Sequence, residues 1–380
     1  MPKTDQKDVA LDFSVVICTY NGALRLPKLL DRLQQQQAGC RWEVLVVDNN
    51  SGDRTSDVVK AHQRHWRSDV PFRYCFEPEQ GLAFARRCAI RQTSGNLIGF
   101  LDDDTLPEAG WVEQAVLFGQ AHPQAGAYGS TIKGLYEVPP PPDFHRIACC
   151  LAIIERGGTP FQYAPERGVL PAGAGMVVRR QAWLEQVPEV PALAGVKAGS
   201  LKAKGEDVET LSYIRRTWEI WHNPAMRLGH LIGRSRLSRE YLTGLFWHIG
   251  LSRYPLRKIQ HAGWKWPLMV ALYAANDARK VGVYLWKWIC RKWICRKWVC
   301  RKWICQQRPR RARAGTQATA LFTTVETCEL SLLLSSFLSP LFAIGRFAVG
   351  PFTLERVLDV IGRARSPRQL TGRSVGRESL

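Results

Sequence analysis

Four short apolar runs near the amino end, each followed by a helix-like stretch, restrict this chain more than any other feature. Residues 14–18 read SVVIC, 43–47 EVLVV, 72–76 FRYCF and 96–101 NLIGFL. A run that is apolar at successive positions suits a strand buried on both faces. Helical patterns lie between them: apolar residues at 24, 26, 29, 30 and 33, a more polar helix over 54–66, and an Ala-rich one over 81–91. Another helix is predicted over 111–122. Strands alternating with helices need crossover connections, and hence parallel pairing. The pattern predicts an α/β fold, a Rossmann-like, mainly parallel twisted sheet flanked by helices. Ligands of such sheets bind at the carboxyl ends of the strands, so the residues just after each run carry the interest.

Thr19-Tyr20-Asn21-Gly22 follows the first run, Asp48-Asn49-Asn50-Ser51 the second, and Asp102-Asp103-Asp104 the fourth. The first two clusters fit ordinary turn chemistry as well as ligand binding. Three adjacent carboxylates after an apolar strand repel one another unless a cation sits among them. Oxygen ligands select a hard ion, Mg²⁺ or Mn²⁺.

The charge of the chain is divided unevenly. Its 380 residues carry +20 overall, yet residues 236–380 hold 26 Lys and Arg against seven Asp and Glu, and eight of the 14 Trp. A composition of 46% hydrophobic residues excludes a wholly disordered chain. Residues 288–305 repeat a W-I/V-C-R-K unit, whose five-residue period builds no single apolar stripe on a helix or a strand. Residues 306–316 are Arg-rich, and the apolar stretch 330–345 is too short to span a bilayer, which takes about 20 apolar residues. It reads as interfacial or re-entrant. Cationic, Trp-rich segments suit the surface of an anionic membrane. The amino end, MPKTDQKDVALDF, has no apolar core of a signal peptide, so the expected location is cytoplasmic, at the inner face of the plasma membrane. The eleven Cys are too dilute for a disulfide framework, and Cys149-Cys150 reads as a buried apolar pair.

Five segments in order carry a resemblance: FSVVICTYNGALRLPKLLDRL, WEVLVVDNNSGDRT, EQGLAFARRCAI, GNLIGFLDDDTLPEAGWV and GEDVETLSYIRR. Together they resemble a family 2 glycosyltransferase of the GT-A fold. More narrowly, GAYGSTIKGLYEVPPPPDFHRIACCLAIIERG and PAGAGMVVRRQAWL resemble the cyanobacterial hormogonium-polysaccharide glycosyltransferases. The resemblance implies that Thr19, Tyr20 and Asn21 line a nucleoside-diphosphate sugar, with Tyr20 against the base and Asp48 hydrogen-bonded to it. Arg86 is implied to contact the donor, although Arg87 stands where the family has Asn. Asp102 and Asp104 match the ends of a D-x-D motif, with Asp103 between them at the donor. Asp104 is implied to ligate Mn²⁺ or Mg²⁺, and Asp102 to contact the ribose or reach the ion through water. Asp207 matches the catalytic base of an E-D pair, preceded by Glu206 on the donor side.

The implied domain, 12–235, divides into a nucleotide-binding half, 12–135, and an acceptor half, 136–235. A helical extension, 236–285, the repeat and linker, 286–316, and an apolar, basic tail, 317–380, follow. The implied reaction is an inverting transfer to a hydroxyl of a polysaccharide or lipid-linked glycan. A diphosphate leaving group needs no general acid when a divalent ion takes up its charge, but the acceptor hydroxyl needs one base. Local sequence alone leaves Asp207 equally able to cap a helix. Gly173 and Gly175 would let backbone approach a sugar, or simply form a tight turn. His230 is either a further metal ligand or a structural histidine. A catalytically silent frame binding nucleic acid or membrane through its basic end is the rival reading. An acidic sheet edge would repel nucleic acid, so no nucleic-acid partner is expected. A dinucleotide-binding dehydrogenase is excluded by the lack of G-x-G-x-x-G after the first strand.

Overall fold

The computed structural model describes residues 11–164, 169–193, 205–261, 263–305 and 328–336. Four parallel strands open the sheet: β1 (Phe13–Thr19), β2 (Trp42–Asp48), β3 (Phe72–Phe76) and β4 (Leu97–Asp102). Their order is β3-β2-β1-β4, with Thr19 level with Asp48 and Cys18 level with Asp102. This register brings the polar residues that end three separate strands to one edge. Successive side chains point to opposite faces. Val15, Val44 and Val46 accordingly join one core cluster, and Val16, Leu45 and Val47 another.

Helices α1 (Leu26–Gln34), α2 (Thr55–Arg64) and α3 (Leu82–Gln92) connect these strands, α4 (Trp111–Ala121) follows them, and all four pack on the sheet. Helix α1 buries Leu26, Leu29, Leu30 and Leu33, while Leu24 is almost wholly exposed. It starts two residues later than the apolar pattern suggests because Pro27 sits in its first turn, where a missing N–H costs nothing.

Beyond α4 the sheet becomes mixed, which corrects the expectation of a mainly parallel one. The remaining strands are β5 (Thr105–Pro107), β6 (Ala125–Tyr136), β7 (Phe161–Gln162), β8 (Met176–Arg179) and β9 (Glu219–Ile232). Strand β8 runs antiparallel to both β4 and β6, and β6 runs parallel to β9. Antiparallel β5 and β7 border β9. The chain reaches β8 by a long excursion without a crossover helix, so nothing obliges it to enter parallel. Helices α5 (Arg180–Gln186) and α6 (Glu206–Ile214) cover this half. One nine-stranded sheet thus runs through both halves expected from the sequence.

Helix α7 (Arg239–Gln260) packs Leu242, Leu245 and Phe246 on Phe144, Ile147 and Leu151 of the excursion. Cys149 and Cys150, expected buried, are exposed and half-buried: Leu151 supplies the inward face of that short turn. Helix α8 (Trp266–Cys305) carries the W-I/V-C-R-K repeat on one continuous helical backbone. Arg257 on α7 pairs with fully buried Asp277 on α8 at 2.8 Å. Helical residues 328–336 lie against α7, where a Cβ on Gly250 would collide with Ser335. No helix among the described residues is long and apolar enough to cross a membrane. The expectations for 306–327 and 337–380 lie outside the described residues.

Close packing near the acidic edge is testable at Gly99 in β4. A Cβ there would stand 2.6 Å from Phe13 Cζ and 2.8 Å from Trp111 Cη2. Gly99→Ala is therefore expected to cost about 2 kcal/mol in urea denaturation, since overpacking typically costs that much. An unchanged midpoint would mean that the ring contacts are loose.

Candidate active site

The acidic turn after β4 is fastened at its middle residue. Asp103, buried, accepts hydrogen bonds from Thr19 Oγ1 (2.6 Å), Arg25 Nε (2.7 Å) and Arg25 Nη2 (2.9 Å). The turn after β4 is thereby tied to the turn after β1. A Cβ at Gly22 would lie 2.0 Å from Thr19 Oγ1 and 2.9 Å from Asp103 Oδ2, so this clamp needs glycine there. Asn21 joins the turn after β2, its Oδ1 accepting from Gly52 N and its own N–H donating to Ser51 Oγ. Asp48 is buried and accepts from Ser51 N (2.9 Å) and Tyr74 Oη (2.8 Å). Burial and the Asp48 carboxylate push the Tyr74 phenol up, which keeps it a donor. Asn49 holds the loop before α3 through the carbonyls of Glu77 and Glu79 and the N–H of Gly81. Tyr20 stands at this edge with its ring partly exposed.

Asp102 and Asp104 flank the clamped residue. Among the described residues no donor hydrogen-bonds the Asp102 carboxylate; burial raises its pKa, and the charge of Asp104 raises it further. Asp104 is held below the usual carboxylate range: burial would raise it, but His230 and Arg236 outweigh that. His230 Nε2 lies 3.2 Å from Asp104 Oδ1, and Arg236 Nη1 lies 2.6 Å from Asp104 Oδ2. Strand pairing sets this geometry, since His230 on β9 is level with Thr105 on β5 and Leu231 N donates to Asp104 O. His230 Nδ1 is buried without a partner among the described residues. Two carboxylates and an imidazole fit a Mn²⁺ or Mg²⁺ ion in donor chemistry. No group of three His, Cys, Asp or Glu side chains is already gathered as a metal centre among the described residues.

Arg86 links this cluster to the E-D pair. Its side chain is buried, with Nη1 3.5 Å from Glu206 Oε1, and it is drawn to Glu206, Asp207 and Asp102. Its Nε has no partner among the described residues. Asp207 lies in the first turn of α6, but Gly205, with φ +107°, occupies the capping position. The Asp207 carboxylate accepts from Val208 N through Oδ1 (2.8 Å) and from Gly173 N through Oδ2 (3.0 Å). A Cβ at Gly173 would lie 2.4 Å from Arg86 Nη2 and 3.2 Å from Asp207 Cβ, so only glycine brings this backbone to the pair. Gly175 answers to packing instead: φ is +69°, and a Cβ would meet Leu228 and Ser130. Burial first, and then Asp207, pushes the Glu206 carboxyl up to about 7, with Arg86 opposing.

The fold thus brings Thr19, Asn21, Asp48, Asp102, Asp103, Asp104 and His230 to one edge, and sets Arg86, Gly173, Glu206 and Asp207 beside them through Arg86. Two residues that motif reading passed over, Arg25 and Arg236, hold Asp103 and Asp104. No local signal marks either, since Arg25 meets Asp103 from 78 residues away and Arg236 meets Asp104 from 132.

Residues 14–182, from β1 into the start of α5, match the family model Glycosyl transferase family 2. Glycosyltransferase AglE of Haloferax volcanii is 35% identical over 105 residues, 27% of this chain and 34% of that protein. Validoxylamine A glucosyltransferase of Streptomyces hygroscopicus subsp. jinggangensis is 37% identical over 113 residues, 29% of this chain and 26% of that protein. The chain spans about a third or less of the length of these relatives. Among solved structures, the Pyrobaculum calidifontis mannosyltransferase PcManGT in complex with GDP-Man and Mn²⁺ aligns with a TM-score of 0.45 and 17% identity, over 93% of this chain and 83% of its own.

The raised Glu206 pKa favours the protonated folded state. That stability is complete below the ordinary Glu range and is lost as pH rises through about 7. The melting-temperature advantage of wild type over Glu206→Gln is expected to shrink between about pH 5 and about pH 8. A difference that stays constant across this range would mean that Glu206 ionises as an ordinary carboxyl.

Proposed function

We propose that the chain is an inverting, metal-dependent glycosyltransferase of the GT-A fold, moving a sugar from a nucleoside diphosphate to a hydroxyl acceptor. The reading rests above all on the Asp207 carboxylate, held by two backbone N–H groups beside a buried arginine and close to the acidic edge. Tyr20 offers its ring to the base, while Thr19, Asn21 and Asp48 shape the nucleotide side. Asp102, Asp104 and His230 would hold Mn²⁺ or Mg²⁺. Such an ion, when bound, neutralises the charge that gathers on a departing diphosphate. Arg86, buried and drawn to acids on both sides, is placed to orient the donor between them, with Glu206 and Asp103 as its neighbours on that side.

Asp207 then has one task, to take the acceptor proton as the hydroxyl attacks. The N–H groups of Gly173 and Val208 fix its direction. A single displacement assisted by one base inverts the anomeric centre, and no second carboxylate is required as nucleophile. Asp207→Asn is expected to leave calorimetric donor binding within about twofold and to slow transfer about a hundredfold or more, the usual weight of a general base. Transfer at the wild-type rate in that variant would remove Asp207 from the role.

The acceptor we infer is a polysaccharide or lipid-linked glycan, as in the hormogonium-polysaccharide enzymes that residues 126–157 and 171–184 resemble. A membrane-borne acceptor suits the exposed apolar residues beside and along α8. Trp264, Leu268, Leu272, Val283 and Trp286 are all exposed. Residues 268, 272, 283 and 286 share a face, because their spacings of 4, 11 and 14 lie near whole turns of about 3.6 residues. The surrounding 236–380 segment is strongly cationic. Replacing Trp264, Leu268 and Trp286 by Ser is expected to abolish co-flotation with phosphatidylglycerol vesicles while sparing binding of the soluble donor. Unchanged flotation would count against the membrane contact.

A further inference from the structure

Arg236 is a site residue that the proposed reaction has not used. It lies in the short turn Arg234–Leu237 just after β9, and its Nη1 stands 2.6 Å from Asp104 Oδ2 and 3.1 Å from His230 Nε2. His230 Nε2 is thus within reach of both this nitrogen and Asp104 Oδ1, the latter at 3.2 Å. The guanidinium nitrogen therefore stands beside an oxygen of Asp104 and Nε2 of His230. A divalent ion held by Asp104 and His230 would compete with it for that place. Two cations cannot share it, because like charges at contact repel strongly in a half-buried setting.

The two ligands and the arginine differ in how firmly they are placed. Asp104 and His230 are fixed by paired strands: His230 is level with Thr105, and Leu231 N donates to Asp104 O. Arg236 is carried by a 3-10 turn beyond Gly233, and its side chain keeps 27% of its surface exposed. Its Nε has no partner among the described residues. The exposed share of the side chain gives the guanidinium a route outward, at the loss of its interaction with Tyr241, and a phosphate oxygen would serve it as well as a carboxylate does.

We propose that Arg236 is an exchangeable internal cation, which neutralises Asp104 until a divalent ion replaces it and then transfers its guanidinium to the diphosphate of the donor. This deepens the metal-dependent reading of the same site and rests on it. The consequence is a coupling between ligands. An ion arriving alone must expel Arg236 into water. An ion arriving with a diphosphate gives the guanidinium a new anion, so each ligand favours the other. An arginine that merely braced the turn would give no such linkage.

Arg236→Met separates the two ideas, because its effects on the two ligands have opposite signs. The measurement is Mn²⁺ affinity, read from the paramagnetic resonance of the free ion, in the full chain with and without UDP or GDP. Arg236→Met is expected to bind Mn²⁺ alone about tenfold more tightly than wild type, and to bind the nucleoside diphosphate in saturating Mn²⁺ about tenfold more weakly. Mn²⁺ affinity that is equal to wild type or weaker, in a variant with the wild-type circular dichroism spectrum, would overturn the proposal. Arg236→Lys carries the test if the Met variant does not fold. Lysine keeps a charge but loses the planar fork, so a smaller gain in Mn²⁺ affinity is expected and no gain overturns the idea. Absence of Mn²⁺ binding in wild type and variants alike, with or without diphosphate, would instead bring down the metal reading on which the proposal stands.

Discussion

The grip of Arg25 and Thr19 on Asp103 is the constraint on which the candidate site depends. Three consecutive carboxylates would otherwise spread apart into solvent. With the middle one tied to the turn after β1, its neighbours are committed to the space between β4, β9 and α3. Asp104 meets Arg236 and His230 on one side, and Asp102 feels Arg86 on the other. A single hydrogen-bonded carboxylate thus turns a repulsive sequence motif into an ordered edge. The collision that a Cβ at Gly22 would make with the same clamp shows how little freedom is left there.

Charge pairing repeats across the site in a graded way. Arg25 satisfies Asp103 with two short bonds, Arg236 satisfies Asp104 with one, and Arg86 stands 3.5 Å from Glu206. The first pairing closes a structural tie, whereas the other two leave Nε of Arg236 and of Arg86 without a partner among the described residues. Buried polar groups seldom remain unpaired without a reason. Arg86 Nε, Arg236 Nε and His230 Nδ1 are three such atoms at this site. Asp102 adds the complementary deficit, a carboxylate that no donor hydrogen-bonds among the described residues. Anionic and cationic valences are thus left open on the same few elements.

The first four strands and their helices were legible because their burial is two-sided, and two-sided burial writes a continuous apolar run. Residues 14–18, 43–47 and 96–101 lie within β1, β2 and β4 or one residue outside. Strands β6 and β9 escaped notice for the opposite reason. AGAYGSTIKGLY and EIWHNPAMRLGHLI mix glycine, charge and apolar residues, and their pairing with each other and with β8 supplies what local pattern does not. The acidic edge and the E-D pair could be read from short motifs. Arg236 could not, since it meets Asp104 from 132 residues away on a turn with no motif of its own. Asp103 illustrates a different limit. Its type and place suggested a ligand contact, but only coordinates reveal that both its oxygens already have protein donors.

The central claim is that this edge binds a nucleoside-diphosphate sugar together with a divalent ion. Isothermal titration of UDP-, GDP- and dTDP-sugars into the protein, with Mn²⁺ and again with the ion removed by chelation, tests it most directly. At least one donor should give saturable binding with Mn²⁺ that weakens tenfold or more, roughly the scale of a typical coupling, when the ion is removed. Equal affinity for a donor in both conditions, or no binding of any donor in either, would contradict the account.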